Sequence, residues 1–302
     1  MLSPILQSLH IYPIKSTAGI SLSNSWVDER GLSFDRRFVV SDPNGQFITA
    51  RTEPTLCLIR VNLTEYGLTL TAPDMPALVI NYRELSNNYQ KITVWNDDIH
   101  AQHGHKNYDL WFSQYLKKPC QLVYFGKDSQ RYVINSRKEI AFADGYPLLL
   151  ISQASLDDLN EKMPGKSSQQ ISMAQFRPNL VVNTCDAFAE DTWQHIRIGE
   201  VEFEVSKPCS RCIFTTVNPT SAEKHPQQEP LKTLTTYRQV ASGDVMFGQN
   251  LIALNQGSIK QGDEIRVLKK QAAPIFVPKP VKQSFNKQLS PNLATSKEQK
   301  KV

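Results

Sequence analysis

The sequence predicts a mostly β protein with a few helices (α+β), assembled from small barrels or sandwiches. Three observations carry that expectation. Short β-prone runs recur at close spacing over residues 6–102 and again over 176–268. Strong turn signals, above all Asp42-Pro43-Asn44-Gly45, separate them. Only two stretches read as helices, one from a 3.6-residue period and one from a capping pattern.

In chain order, "LQSLHIYPIKS" (Leu6 to Ser16) reads as an opening strand that ends in a loop. "RRFVVSDPNGQFITA" (Arg36 to Ala50) holds two β-prone runs around the turn signal. "LIRVNLTEYGLTLTAP" alternates Leu58, Arg60 and Asn62 against Ile59, Val61 and Leu63, and "QKITVWNDDIHAQ" reads as strand, turn, strand. In "NYDLWFSQYLKK", Tyr108, Trp111, Phe112, Tyr115 and Leu116 fall on one helical face. "SLDDLNEKM" shows a capping-box pattern, Ser155 three residues before Asp158, that starts a second helix there. "FRPNLVVNT" and "RIGEVEFEVSKP" return to strands, and "GSIKQGDEIRVL" (Gly257 to Leu268) reads as a last hairpin. The pattern then stops. Residues 269–302 carry four prolines and eight lysines without period and read as a linker or disordered tail.

The chain has 302 residues, enough for one large or two ordinary domains. No apolar run reaches the roughly 18–20 residues of a membrane helix, and the N-terminus lacks signal-peptide features. The expectation is a cytoplasmic protein with no membrane partner. The net charge is +5, but the segment from Lys269 onward holds eight lysines, no arginine and one acid, Glu298. Subtracting that segment's +7 leaves −2 on the first 268 residues. A nucleic-acid footprint spread over a basic face is therefore not expected.

Five cysteines in a chain this long do not form a disulfide framework. Cys209 and Cys212 are the pair with chemical spacing, and three readings are open. Zinc would need two further ligands, and no second Cys-x-x-Cys exists. The His100, His103, His105 cluster fits neither one strand face nor one helix face well and reads as a polar loop at the end of a strand. His10, His195 and His225 are isolated and receive no role. A redox dithiol would sit at a helix N-terminus, but the following "IFTTVNP" reads as extended chain. There remains one thiolate acting as nucleophile or as ligand to a metal whose other ligands a cofactor brings. An anionic cofactor would need cationic donors, and three stretches offer them: Lys15 and Ser16 in "YPIKS", Arg36 and Arg37 in "FDRRF", Arg177 and Asn179 in "FRPN". Alternation sends Arg36 and Arg37 to opposite faces, while Arg177 and Asn179 share one if extended.

"IYPIKS", "DRRFVV", "TARTEP", "FRPN" and "PCSRCIFTTVNP", in this order, resemble the MOSC-domain molybdenum cofactor proteins, in particular the bacterial YcbX-like proteins and the mitochondrial amidoxime-reducing components. "PLKTLTTYR" and "MFGQN" agree with them. The resemblance runs from about Ile5 to Leu268. It implies an N-terminal β-barrel-like domain (1–125) packed on a MOSC β-barrel (126–268), with a molybdopterin cofactor between them. Its dithiolene sulfurs would hold molybdenum, and Cys212 would add the protein thiolate. Cys209 would be a small packed residue. Lys15, Ser16 and Arg36 would contact the pterin or its phosphate from one domain, and Arg177 and Asn179 from the other. Ser210 and Arg211 would add donors beside the metal.

"FADGYP" falls where eukaryotic relatives carry Asp followed by small hydroxyl residues. Asp144 is kept, as a candidate proton donor or a plain turn residue. Gly145 and Tyr146 replace the hydroxyls, leaving backbone groups or the tyrosine hydroxyl for any contact. The implied activity is molybdenum-dependent reduction of N-hydroxylated compounds. Some YcbX-like relatives carry a plant-type [2Fe–2S] domain after the MOSC domain, but no cysteine follows Cys212 here, so no cluster is expected in this chain. Electrons would come from a separate ferredoxin or flavoprotein reductase, with the Lys-rich segment docking that acidic partner. Two other classes remain: a sulfur carrier with a persulfide on Cys212, and a non-enzymatic cofactor-binding protein.

Overall fold

The computed structural model describes residues 3–164 and 170–277. Its backbone is dominated by an eight-stranded sheet in the order Ile265–Lys270, Trp193–Ile198, Val201–Arg211, Val245–Ala253, Leu148–Ser152, Leu180–Asn183, Ile5–Ile11, Ile20–Leu22. The pairing of Leu148–Ser152 with Leu180–Asn183 is parallel, and a helix, Gln153–Lys162, lies in that crossover. Three smaller sheets complete the β framework among the described residues. The four-stranded one (Phe38–Ser41, Gln121–Tyr124, Asp97–His103, Tyr89–Val94) and the Arg60–Thr64, Gly67–Thr71, Leu78–Asn81 meander form the first half.

The two halves are not separated at the level of hydrogen bonding. The opening strand pairs with Leu180–Asn183, Leu9 facing Leu180. Asn24–Asp28 pairs with Gly257–Lys260. The chain thus begins inside the large sheet and leaves it at Tyr12, carrying Lys15 and Ser16 to the junction. There the Lys15 N–H donates to the Phe38 carbonyl of the first half, 2.8 Å away.

The Lys106–Leu116 helix buries Tyr108, Trp111, Phe112 and Leu116 against the first core, on the face that the period predicts. The His105 ring nitrogen accepts the Asn107 N–H at its start, and Lys117 ends it in the left-handed region (φ 56°). The Asp42 turn also forms as expected. Its carboxylate accepts the N–H groups of Asn44 and Gln46, and Gly45 takes φ 84°, where a Cβ would lie 2.5 Å from the Lys91 carbonyl.

Five expectations need correction. The last hairpin does not form: its two strands join different sheets, Gly257–Lys260 on Asn24–Asp28 and Ile265–Lys270 on Trp193–Ile198. Gly262 (φ 90°) turns the chain between them, its N–H donating to the Leu6 carbonyl. The second helix starts at Gln153, capped by Ser152, whose hydroxyl accepts the Ser155 N–H. The Ser155 hydroxyl is committed to buried Glu190 instead. The histidine stretch is a strand followed by a helix cap, with His103 bound to Asp109 at 2.7 Å. "IFTT" closes a 3₁₀ turn after Cys212, because the Thr215 N–H and hydroxyl both donate to the Cys212 carbonyl. Finally, order continues past Leu268: the strand runs to Lys270, the Val277 N–H donates to the Gln239 carbonyl, and Phe276 stacks on Arg238 at 4.0 Å. The rest of the Lys-rich segment, 278–302, lies outside the described residues.

Candidate functional site

At the junction of the halves lies a cleft of about 470 Å³. It is lined by Lys15, Ser16, Arg36, Asp144, Gly145, Tyr146, Arg177, Asn179, Ser210, Arg211 and Cys212, whereas Arg37, also a candidate donor in the sequence, lies outside it. Six cationic side chains face it, those of Lys15, Arg36, Arg51, Arg177, Lys207 and Arg211, against one carboxylate, Asp144. A protein whose first 268 residues sum to −2 has gathered like charges around one space. Their mutual repulsion favours an anion there.

Three of these residues hold left-handed backbone: Ser16 (φ 75°), Arg36 (φ 47°) and Arg177 (φ 57°). Each costs of order 1–3 kcal/mol, and such strain clusters at ligand sites. It also decides where side chains point. Arg36 and Arg37 do reach opposite sides as expected, but because Arg36 turns left-handed before the strand begins at Phe38. Arg36 binds Asp35 (2.6 Å), Asn179 (3.0 Å) and the Arg177 carbonyl (3.2 Å). Arg37 forks onto both oxygens of Asp28 away from the cleft. Arg177 is not extended, yet it and Asn179 both line the cleft. Its guanidinium packs 4.1 Å above the Tyr12 ring and donates to the Thr17 carbonyl at 2.6 Å. Asn179 is 1 % exposed, its amide donating to the His10 carbonyl.

The loop around Asp144 is held from beneath by Arg131, which donates to the carbonyls of Ala141, Ala143 and Asp144. Buried Lys15 donates to the Phe142 carbonyl (2.7 Å) and to Asp144 Oδ1 (2.6 Å). Burial pushes Lys15 down to about 8, although Asp144 pulls the other way. Enclosure alone would raise Asp144, but the charges of Lys15 and Arg51 outweigh it and hold the carboxyl well below its usual range. Its side chain is 62 % accessible through the cleft mouth, so cleft water further favours the ionised form. In this arrangement Asp144 is an acceptor, bound also by the Trp95 indole N–H at 3.1 Å. Near neutrality the proton of the pair sits on Lys15.

The two thiols differ in surroundings. Cys209 borders the cleft but packs against the apolar cluster of Ile151, Phe176 and Phe247, and its sulfur accepts from Arg211 Nη1 at 3.0 Å. Cys212, one step past the end of the Val201–Arg211 strand, faces the cleft, and its sulfur accepts from Arg51 Nε at 3.2 Å. Sequence reasoning assigns no role to Arg51, Trp95 or Lys207. Arg51 stands in the quoted "TARTEP" and could have been found there; Trp95, a lone indole in a turn, carries no signal. Among the described residues no three His, Cys, Asp or Glu side chains cluster as a metal cage.

A β protein of two interlocked halves, with a cationic cleft at their junction lined by Cys209 and Cys212, is the class that fold and site define. Two family models match: the MOSC N-terminal beta barrel domain over residues 3–119 and the MOSC domain over 137–266. Mitochondrial amidoxime-reducing component 1 of Mus musculus is 32% identical over 280 residues, covering 86% of this chain and 81% of that protein. The Homo sapiens component 1 is 33% identical over 280 residues (86% and 82%), and the Homo sapiens component 2 is 34% identical over 277 (85% and 81%). The chain belongs to the MOSC-domain family. The first matched segment brings Lys15, Ser16, Arg36, Arg51 and Trp95 to the cleft, and the second brings Asp144, Arg177, Asn179, Arg211 and Cys212. Among the described residues no helix is long and apolar enough to cross a membrane.

Proposed function

We propose that this protein is a molybdenum cofactor-dependent oxidoreductase that reduces N-hydroxylated compounds (amidoximes, hydroxylamines, N-hydroxylated purine bases) with electrons from a separate ferredoxin or flavoprotein. The observation that carries the reading is the Cys212 thiol facing a cleft ringed by six cations. The names of the relatives, amidoxime-reducing components, support the reaction class.

The residues present fit such a group. The cleft volume falls in the range of about 300–1,000 Å³ that cofactor sites occupy. A thiolate is a soft ligand suited to a metal whose remaining bonds come from sulfur and oxygen. Arg211 Nε is buried without a hydrogen-bond partner, a donor left over by the protein. A Cβ on Gly145 would meet nothing within 4 Å, which leaves room beside Asp144. When bound, the cofactor supplies the metal-centred two-electron chemistry that an N–O bond cleavage requires. Cys212 supplies the protein bond to the metal. Lys15, Ser16 and Arg36 from the first half, with Arg177, Asn179 and Arg211 from the second, hold the pterin and its phosphate. Ser210, which donates to Asp244 at 3.2 Å, and the backbone around Gly145 and Tyr146 close the walls. The Lys15–Asp144 pair holds a proton at Lys15 Nζ within the cleft.

Two results follow. Arg177→Ala weakens cofactor retention by roughly 1.5–3 kcal/mol, because an anion loses a charge-assisted donor; retention equal to wild type after dialysis would rule Arg177 out as a contact. Retention also weakens as pH rises through about 8, where Lys15 loses its proton. The stability contribution has the opposite sign. The folded value lies below the unfolded one, so the unfolded chain binds more protons between about 8 and 10.5, and this group stabilises the fold as pH rises across that window. Lys15→Met should flatten the retention profile between pH 7 and 9.

The deciding measurement is molybdenum per chain, in protein from a host that makes molybdopterin, followed by turnover of an amidoxime with a reduced donor. Near one equivalent together with turnover is expected. Essentially no molybdenum, with the host's other molybdoenzymes loaded, overturns the reading and leaves persulfide carriage on Cys212 as the alternative.

A further inference from the structure

Arg51 stands apart from the other cleft cations. It comes from the loop after Ala50 and crosses to a sulfur 161 positions away in sequence, with Nε 3.2 Å from Cys212 Sγ. Two further contacts hold its guanidinium and one holds its backbone. The guanidinium lies 4.1 Å over the Trp95 ring, its Nη2 is 3.6 Å from Asp144 Oδ2, and its backbone N–H donates to the Thr49 hydroxyl at 3.1 Å. The Arg51 carbonyl accepts from Lys224 Nζ, which ties the loop to the second half. Trp95 is itself fixed, edge-on to Phe47 and donating to Asp144. A guanidinium held by the Trp95 ring and the Asp144 carboxylate places one N–H, that of Nε, on the sulfur.

We infer that Arg51 is a positioning residue that hydrogen-bonds the ligand sulfur of Cys212 and thereby raises the reduction potential of the metal bound there. This rests on the cofactor reading above. A donor on a thiolate withdraws electron density from the sulfur, weakens its donation to the metal and favours the reduced state. Hydrogen bonds to ligating sulfurs tune copper–thiolate and iron–sulfur sites in this direction. Trp95 and Asp144 act one step further out, by fixing the guanidinium. Asp144 therefore has a place in the site that needs no proton transfer: it orients Lys15 on one oxygen and faces Arg51 with the other.

The test compares wild type, Arg51→Met, which keeps length and apolar contact with Trp95 but has no donor, and Arg51→Lys, which keeps a donor. The readouts are molybdenum per chain and the midpoint potential of the metal, followed by electron paramagnetic resonance during redox titration. Expected is near-wild-type loading in both variants, a lower potential in Arg51→Met by about tenfold in the one-electron equilibrium (about 59 mV), and partial recovery in Arg51→Lys. A loaded Arg51→Met with the wild-type potential overturns the inference. So does failure of both variants to load, which would make Arg51 a cofactor-retaining contact instead. Absence of molybdenum from the wild type itself marks failure of the cofactor reading and is distinct from either result.

Discussion

Under the proposed function, Cys212→Ala leaves the protein folded, without retained molybdenum and without N-hydroxy reduction, whereas Cys209→Ala keeps most of both. The asymmetry follows from what each sulfur touches. Cys212 lines the cleft and, among the described residues, its sulfur is hydrogen-bonded by the Arg51 side chain alone, so its removal deletes the proposed bond to the metal without opening the packed core. Cys209 packs against the cluster around Phe247, and losing its sulfur removes one acceptor from Arg211, which keeps its bond to the Phe176 carbonyl. Metal analysis and the melting transition of the two variants check this together. Full loading of Cys212→Ala, or complete loss in Cys209→Ala, would exchange the roles of the two thiols.

Asp191→Ala destabilises the fold by roughly 3–5 kcal/mol, the cost of leaving a buried charge uncompensated. Asp191 and Arg238 are 2 % and 4 % exposed and form a two-pronged pair, 2.8 Å from Nη1 to Oδ2 and 3.1 Å from Nη2 to Oδ1. Gln249 adds a third donor at 2.6 Å. The Arg238 guanidinium also contacts the rings of Phe188 (4.1 Å) and Phe276 (4.0 Å), so it stays buried when its carboxylate partner is removed. The damage reaches the site. Gln249 faces Pro208 in the pairing of the two strands, and its neighbour Asn250 lines the cleft. Urea unfolding of the cofactor-free protein measures the effect, and a loss below about 1 kcal/mol would show that the pair is not what holds this corner. Asp191→Asn keeps an acceptor and should cost less.

What could be read in the linear chain was local. The face of the Lys106–Leu116 helix follows from a 3.6-residue period, and the Asp42 turn from an Asp carboxylate that caps its own backbone and a glycine free to take φ 84°. The resemblance named residues that the fold brings to one cleft, since motifs keep their residues adjacent in sequence. The sequence by itself therefore determined the fold class, the helix face, the turns and the set of candidate donors around Cys212. Only the tertiary structure decided how those pieces meet. "GSIKQGDEIRVL" has the strand–turn–strand look of a hairpin, but its two strands pair with Asn24–Asp28 and Trp193–Ile198, and strand pairing is chosen by partners that the local pattern cannot see. The left-handed turns at Ser16, Arg36 and Arg177 are imposed on residues with no local preference for them, by contacts that aim their side chains inward. Arg51 reaches Cys212 across 161 residues. A side chain's period is a property of its own segment, whereas its partner across a cleft is a property of how two segments dock.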